Sequence, residues 1–489
     1  MKIARILLLL LSGSMVLSCQ KDAVETDNGK DVDPIGNTDT LPDPDSEQFV
    51  MKEYHEQLFP IYYWYDDVYK MVNSLDYWSF SDVGSYFEAT LYESDYWSWM
   101  SNAEYYVSMT TRVVSNTYGA TLLQPIDYYD DYSIIVSMIY PESPLAKHGV
   151  TRGWKLTHLG GTDVMDLVRK GTFEKEWNKS QQTLTFVDLN DSVHTFVESP
   201  AQYLKENPCL ISRVFGPDDY PGLACKVGYL HYSSFASKYD GYLDSIMQTF
   251  HDEGVKEMIV DLRYNSGGDM SSLNVLASYL APKSADNQIL QRTVHNSIFS
   301  SWDSDEMLSV SAKSLDLDRL FVIISDQSAS SSECLINDLI PYMEIDLVGR
   351  QSYGKPNGMY VLLYPCSNED YERYRRDDYD ALQYMFLPIA FYNRNAYNQS
   401  IPDDGFTPGN DRPDDLYHDF GVEEDNIRAC LEKIVNGRYP ELPAVKKRHQ
   451  TRSVVDGYVL PATAGKNPFK ENSIKPMPEE LRQWMTDLK

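Results

Sequence analysis

The chain has 489 residues, of which 42% are hydrophobic and 13% aromatic, and it carries a formal net charge of −30. A chain of this length exceeds one compact core, so two or three domains are expected. So acidic a protein repels phosphate backbones, which argues against a nucleic-acid partner. The simplest interpretation of the acidity is solubility.

The N-terminus has the pattern of an export signal over residues 1–18. Lys2 and Arg5 are followed by an apolar stretch, residues 6–17, that is too short to span a bilayer. The stretch ends in Leu-Ser-Cys, which resembles a bacterial lipobox. We therefore expect Cys19 to be lipidated and to anchor the chain in the cell envelope, at the outer membrane and facing either the periplasm or the surface. The alternative is an ordinary secretory signal followed by an incidental cysteine.

Two segments with different compositions follow. Residues 19–46 are rich in Asp, Thr, Asn, Gly and Pro, which predicts a disordered acidic tether. Residues 47–117 are aromatic and mostly helical in pattern, which predicts a small N-terminal helical cap. Its tryptophans, among them Trp97 and Trp99, could form a carbohydrate-binding platform on a surface lipoprotein. Aromatic residues more often pack into a core, and we favour that interpretation.

Residues 118–200 change to short strands. From Pro141 onward the order is a turn, a short helix closed by Gly149, a glycine turn, a strand, a Gly-Gly turn and a helix. This order resembles a PDZ domain, a module that binds an extended chain end by adding it to a sheet edge. The resemblance implies a carboxylate-binding turn at Tyr118, Gly119, Ala120 and Thr121. The alternative is a PDZ-like spacer that holds no peptide.

Residues 201–437 alternate between strands and helices, which predicts an α/β core. The expected elements are strands at 227–230, 257–262, 320–324 and 345–349, and helices at 239–253, 272–280 and from about 332. Residues 438–489 form a C-terminal extension that is hard to assign. The predicted fold class is therefore a multidomain α/β protein.

A serine-rich turn follows the strand at 320–324. It reads Ser-Ala-Ser-Ser-Ser-Glu over residues 328–333. A strand-to-helix turn exposes a side chain at the carboxyl edge of a sheet, and the helix N-terminus directs N–H groups to the same place. The hydroxyl of Ser330 could attack a carbonyl there, while nearby N–H groups stabilise the oxyanion. The alternative is that Ser330 only caps the helix.

Two further motifs end neighbouring strands. Residues 261–268 read Asp-Leu-Arg-Tyr-Asn-Ser-Gly-Gly, and the two glycines allow close backbone approach to a substrate. Lys355 lies between Gly354 and Pro356, just after the strand at 345–349. A buried lysine loses its proton readily and can serve as a base.

Together these motifs resemble the C-terminal processing, or tail-specific, serine peptidases. That family carries a D-L-R-x-N-x-G-G strand end, a serine turn ending in Glu, and a G-K loop. The resemblance implies a ClpP/crotonase-like α/β core preceded by a PDZ domain, with Ser330 as nucleophile and Lys355, 25 positions later, as general base. Protein or peptide substrates are expected, and the mechanism needs no cofactor and no metal. We assign the oxyanion donors to Gly267 or Gly268 and Ser331.

Two departures leave the orientation of Lys355 open. Many members carry a Gln four residues after the lysine or an Asp eleven residues after the serine, where this chain has Met359 and Pro341. Glu333 could position Lys355 or could merely cap its own helix. An alternative function is therefore a catalytically weak relative that binds peptides or small apolar ligands. The sequence makes no prediction of oligomeric state.

Beyond Cys19 the chain has five cysteines, with neither a CxxC motif nor a Cys/His metal spacing. We interpret them as buried small hydrophobic residues. A Cys209–Cys225 bridge is the alternative.

Overall fold

The computed structural model describes residues 42–44, 46–123, 133–442 and, for the backbone alone, 474–476. The expected signal peptide, the lipidation residue Cys19, most of the tether and most of the C-terminal extension lie outside the described residues. Within the described ranges, no helix combines the length and the apolar character needed to cross a bilayer.

The N-terminal segment combines helices with two strands. Its elements are α1 (Glu47–Glu53), α2 (Tyr65–Val72), α3 (Val83–Ala89), β1 (Trp99–Asn102), α4 (Ala103–Thr111) and β2 (Val113–Val114). β1 pairs antiparallel with residues 384–387 of the C-terminal half. The small helical cap expected over residues 47–117 therefore also contains strands, and β1 extends a sheet of the core.

The aromatic side chains of this segment pack against one another. The ring of Trp64 stacks on those of Tyr92 and Trp97, with centroid distances of 5.7 and 6.5 Å. Trp99 is buried and its ring meets Tyr105 edge-on. These aromatic side chains therefore pack into the protein, which is the interpretation favoured from the sequence.

The next region is a separate antiparallel sheet with its own core. Its elements are β3 (Ala120–Leu123), β4 (Ile134–Ile139), β5 (Lys155–Leu159), β6 (Thr162–Asp163), α5 (Val164–Arg169), α6 (Phe173–Trp177), β7 (Gln182–Val187) and β8 (Val193–Glu198). The strand order is β3-β4-β5-β7-β8, so β3 is an edge strand. Gly149 ends a short helical turn at φ +77°, a conformation that favours glycine. β9 (Leu204–Lys205) then pairs with β2.

The remaining elements form the α/β part of the molecule. They are β10 (Cys209–Phe215), β11 (Lys226–Tyr232), α7 (Asp240–Glu253), β12 (Val255–Asp261), α8 (Met270–Leu280), β13 (Ile289–Val294), β14 (Ser304–Met307), β15 (Arg319–Ile324), α9 (Ser331–Leu339), β16 (Glu344–Gly349), β17 (Asn357–Tyr364), α10 (Asn368–Tyr374), β18 (Tyr384–Leu387), β19 (Ile389–Arg394), β20 (Asn410–Asp411), α11 (Asp425–Asn436) and β21 (Ile474–Pro476).

One sheet has the order β10-β11-β12-β15-β16-β20, and β11 through β20 run parallel. Both faces of its central strand are buried: Leu320, Val322 and Ile324 pack on one side, Phe321 and Ile323 on the other. This explains the continuous apolar run in the sequence. Because the strands are parallel, their carboxyl ends share one edge, where the loops after β12, β15 and β16 meet.

The second sheet has the order β1-β18-β17-β19-β13-β14, and β21 pairs with β17. β17 begins two residues after Lys355. Its pairing with β19 shifts register between Gly358 and Met359, so that Met359 lies opposite Ile389. The helices α1 to α3 share a hydrophobic core with this sheet.

A buried ion network links the β3–β8 region to the parallel sheet. Asp414 Oδ1 lies 2.6 Å from Arg152 Nη2 and 2.7 Å from Arg263 Nη1. Arg152 also donates to the hydroxyl of Tyr264 at 2.8 Å. Arg263 and Tyr264 belong to the loop after β12, so the network fixes the loop that carries the two glycines.

None of the five cysteines that the structure describes forms a disulfide. Cys209, Cys334 and Cys430 are buried, as expected for small hydrophobic residues, whereas Cys225 and Cys366 are only partly buried. The alternative Cys209–Cys225 bridge is not formed.

Candidate active site

The serine turn after β15 is fastened to the loop after β12 by its own hydroxyl groups. Ser328, Ser331 and Ser332 each donate to a backbone carbonyl of residues 262–268, at 2.8 or 2.9 Å. All three serines are buried. The two loops therefore form one rigid unit at the carboxyl edge of the parallel sheet.

Ser330 has an unusual backbone conformation within this unit. It occupies the N-cap position of α9, but its φ is +58° and its ψ is −112°, whereas N-cap residues are normally extended. A non-glycine residue at positive φ is uncommon and marks strain that the surrounding structure must maintain. A strained strand-to-helix turn is how several hydrolases present a nucleophilic serine. Ser330 thus lies at the N-cap of α9 and also has the strained backbone expected of a nucleophile.

The carboxylate of Glu333 connects this turn to the loop that carries Lys355. Its Oε2 accepts the backbone N–H groups of Ser330 and Lys355, both at 2.9 Å. Its Oε1 accepts the N–H of Gly354 at 2.7 Å and the hydroxyl of Ser352 at 2.5 Å. Burial raises the pKa of Glu333, and these four donors oppose that rise. Glu333 therefore both caps its helix and positions the backbone of Lys355.

Lys355 is fully buried. Desolvation disfavours its ammonium form and holds the pKa of Lys355 well below the usual lysine range. The acidic groups of Asp95, Cys334 and Glu333 act in the opposite direction, with Asp95 the strongest of the three. A lysine with a lowered pKa is available as a neutral base near neutral pH.

The side chain of Lys355 points toward β17. Its Nζ contacts Met359 Sδ at 3.9 Å. Met359 thus occupies the environment of the amine at the position where many relatives carry a Gln.

Gly267 packs directly against the serine turn. A Cβ atom added to Gly267 would lie 3.1 Å from Ser330 Cβ and 3.0 Å from Ser331 N, and its φ is +113°. Its own N–H donates to Asn265 Oδ1 at 2.9 Å. The sequence proposed this N–H as an oxyanion donor, but here it stabilises the loop.

Gly268 is in a different situation. Its φ is +134°, and a Cβ would lie 2.0 Å from the carbonyl oxygen of Phe235, so only glycine fits. Among the described residues its N–H has no hydrogen-bond acceptor. Gly268 also lines a mainly apolar cavity of about 570 Å³ beside the serine turn. Further lining residues are Tyr106, Met109, Phe235, Met270, Tyr360 and Val361.

The expected carboxylate-binding turn lies in the β3–β8 region and does not line this cavity. Tyr118 is buried, with its ring 4.7 Å from that of Trp177. The N–H of Gly119 donates to Thr117 Oγ1 at 3.0 Å. Ala120 and Thr121 begin the edge strand β3.

One residue of the site was given no role from the sequence. Asn265 donates to the carbonyl of Tyr232 at 2.7 Å and accepts from Gly267, and its signal was the Asn of the D-L-R-x-N-x-G-G motif. In the described ranges, no group of three His, Cys, Asp or Glu residues could hold a metal ion.

Part of the chain is similar in sequence to known proteins. Residues 226–373, which include Ser330 and Lys355, match peptidase family S41. The chloroplastic carboxyl-terminal-processing peptidase 3 of Arabidopsis thaliana is 24% identical over 230 residues, which are 45% of this chain and 42% of that relative. The chain thus aligns with less than half of the length of the plant relative.

One solved structure shares the fold of most of this chain. The structure of a candidate S41 protease from Bacteroides fragilis NCTC 9343 covers 81% of this chain and 98% of its own, with a TM-score of 0.61 and 21% identity. The photosystem II D1 C-terminal processing protease covers 75% of this chain and 93% of its own, with a TM-score of 0.42 and 16% identity. Residues 226–373 therefore form a domain that matches peptidase family S41.

Proposed function

We propose that this protein is a serine endopeptidase of the C-terminal processing type that uses Ser330 as nucleophile and Lys355 as general base. One observation carries the proposal. A single carboxylate, Glu333, holds a strained serine turn and a buried lysine with a lowered pKa at one sheet edge.

The reaction is an acyl transfer. Neutral Lys355 accepts the hydroxyl proton of Ser330 as the oxygen attacks a peptide carbonyl, and the resulting ammonium then protonates the leaving amine. Water hydrolyses the acyl-enzyme. We assign the oxyanion donors to the N–H groups of Gly268 and Ser331, because that of Gly267 donates to Asn265 Oδ1. The apolar cavity beside Gly268 would take up substrate side chains next to the scissile bond.

Cleavage of an unfolded protein with a C-terminal tag tests this proposal. Ser330→Ala and Lys355→Met should each abolish cleavage, and Ser330→Ala should also abolish labelling by a fluorophosphonate. Ser304→Ala, on the exposed strand β14, is the matched control and should retain the wild-type rate. Equal cleavage by Ser330→Ala and wild type would disprove the peptidase. Folded protein that binds the substrate but never cleaves it would favour the catalytically weak relative.

We further propose that the β3–β8 region presents substrate C-termini as a PDZ-like domain. The support is its edge strand β3, which a chain end could extend. Peptides with a free carboxylate should bind more tightly than the same peptides with a C-terminal amide. Equal binding of both forms would contradict carboxylate recognition.

The localisation proposal rests on the sequence alone. We propose that Cys19 carries the lipid that anchors the protein in the cell envelope. Wild-type protein expressed in a bacterial host should incorporate labelled palmitate and sediment with membranes, whereas Cys19→Ser should do neither. Labelling that persists in Cys19→Ser would contradict the assignment.

A further inference from the structure

The strand β17 has two edges, and its antiparallel partners occupy only one of them. Residues 362–364 pair with β18 and residues 357–359 pair with β19, in registers that continue across the single residue between those two strands. β18 and β19 therefore lie along the same edge. Met359 pairs with Ile389 of β19 and also with Ile474 of β21, and a strand residue has one partner on each side. β21 therefore lies along the opposite edge of β17.

This opposite edge faces the apolar cavity beside the serine turn. Tyr360 and Val361 both line that cavity, together with Gly268. Consecutive side chains of a strand point to opposite faces of the sheet, so a cavity that meets both lies against the strand edge. Since β18 and β19 close one edge, the cavity lies along the edge of β21. The same edge begins at Met359, which contacts the amine of Lys355.

An open strand edge beside a nucleophile is a place where an extended substrate chain can add as a further strand. Main-chain hydrogen bonds to β17 would hold such a chain extended next to Lys355, and its alternate side chains would enter the cavity. In this structure the chain itself takes that position, because Ile474–Pro476 pairs in parallel with residues 359–361. Across the part of the chain that the structure describes, no other strand pairs with this edge.

The pairing of β21 depends on one backbone position. In a parallel pair, alternate residues bond the partner strand through both their N–H and their C=O. Pro476 has no N–H, so Lys475, which lies opposite Tyr360, is the bonding residue in this register. A three-residue strand that is bonded through one residue is short enough for a longer substrate chain to displace.

We propose that β21 occupies the substrate-binding edge of β17, so that the C-terminal segment of this chain restrains its own peptidase until a substrate chain displaces it. This inference rests on the proposed function, because it assigns the edge to the substrate of Ser330. An occupant that is attached to the enzyme competes at a high effective concentration, whatever the concentration of the enzyme. The inference gives a role to residues that lie outside the matched family region, residues 226–373.

Lys475→Pro in the full-length chain tests the restraint. Proline removes the N–H at the bonding position and so weakens the pairing with β17. Lys475→Ala is the matched control, because it keeps that N–H. Loss of an attached competitor lowers the apparent KM and leaves kcat unchanged. For an unfolded protein with a C-terminal tag, we expect the KM of Lys475→Pro to fall about three- to tenfold, as for the loss of one hydrogen bond. Lys475→Ala should keep the wild-type KM and kcat.

Amide hydrogen exchange provides a second measurement that leaves β21 unaltered. The full-length Ser330→Ala variant binds the same tagged substrate without cleaving it. As the substrate takes the edge of β17, β21 loses its partner strand. Exchange in the segment that contains Ile474–Pro476 should therefore become faster when the substrate saturates the variant.

The outcomes separate the restraint from the peptidase itself. An unchanged KM in folded Lys475→Pro would overturn the restraint and leave the peptidase intact. Exchange in the β21 segment that stays the same at saturating substrate would have the same meaning. Cleavage that does not depend on Ser330 would overturn the proposed function, and the restraint with it. Should Lys475→Pro fail to fold, the exchange measurement decides the question.

Discussion

Glu333 and Lys355 are joined through the backbone of the lysine, not through its amine. The N–H of Lys355 donates to Glu333 Oε2 at 2.9 Å, and the same oxygen accepts the N–H of Ser330 at the same distance. One buried atom thus sets the separation between the nucleophile turn and the base loop. The amine of Lys355 takes no part in this link and lies against β17, where it contacts Met359 Sδ.

Glu333→Gln tests this link. An amide offers one acceptor oxygen, and its NH₂ would face N–H donors that now bind a carboxylate. We expect a loss of about 3 kcal/mol in the free energy of unfolding, because buried donors lose their partners. Activity should fall at least tenfold even in the folded fraction. The exposed Glu344→Gln is the control, and urea unfolding with peptidase assays provides the measurement. Unchanged stability would mean that the carboxylate does not join the two loops.

Gly267→Ala should reduce peptidase activity more than it reduces the stability of the fold. A methyl group there would lie 3.1 Å from Ser330 Cβ on a backbone at φ +113°. The serine turn must then move, and we expect a loss of activity of about a hundredfold. Gly241→Ala is the matched control, since its methyl would meet nothing within 4 Å and alanine favours helices. Equal activity in both variants would contradict the close packing of Gly267 on Ser330.

The lowered pKa of Lys355 predicts two pH effects. Activity should fall on acidification as Lys355 becomes protonated. Stability should change as well, because an unfolded lysine has a pKa of about 10.4. Between the folded pKa and that value only the unfolded state binds the proton, so stability falls as pH is lowered.

Lys355→Met removes the titrating amine and, with it, the loss of stability on lowering the pH. Relative to wild type, the variant should gain stability from pH 10 to pH 7, with a slope approaching about 1.4 kcal/mol per pH unit. Urea unfolding at several pH values measures the difference. A stability difference that is constant with pH would show that Lys355 titrates normally.

Arg152→Met should weaken the connection between the β3–β8 region and the catalytic loop. Arg152 is fully buried and bridges Asp414 and Tyr264. Removing one partner of a buried ion network typically costs about 3–5 kcal/mol. The exposed Arg169→Met should cost less than about 1 kcal/mol. Chemical denaturation compares them, and similar losses would mean that the buried network contributes little.

Met359→Gln restores the residue type that many relatives carry. A carbonyl oxygen near Nζ would favour the ammonium and raise the pKa of Lys355. The acid limb of activity should therefore move to higher pH in Met359→Gln than in wild type. An acid limb that stays at the wild-type pH would contradict a contact between residue 359 and the amine.

The local sequence pattern was sufficient to predict most strands of the parallel sheet. The strands expected at 257–262, 320–324 and 345–349 are present as β12, β15 and β16. The helices expected at 272–280 and from about 332 begin within two residues of their predicted starts. The pattern was informative because both faces of these strands are buried and their ends carry Gly- and Ser-rich turns. The strand β1 was missed because its partner, β18, lies almost 300 residues away in sequence.

The sequence alone determined the candidate nucleophile, the candidate base and the glycine loop, because each follows a buried strand and parallel strands end at one edge. Only the tertiary structure decided how they are held. It showed that Glu333 binds the backbone of Lys355, that the Gly267 N–H is occupied by Asn265, and that the Lys355 amine is buried beside Met359. Such relationships depend on the desolvation and the approach of groups distant in the chain, which no local pattern encodes.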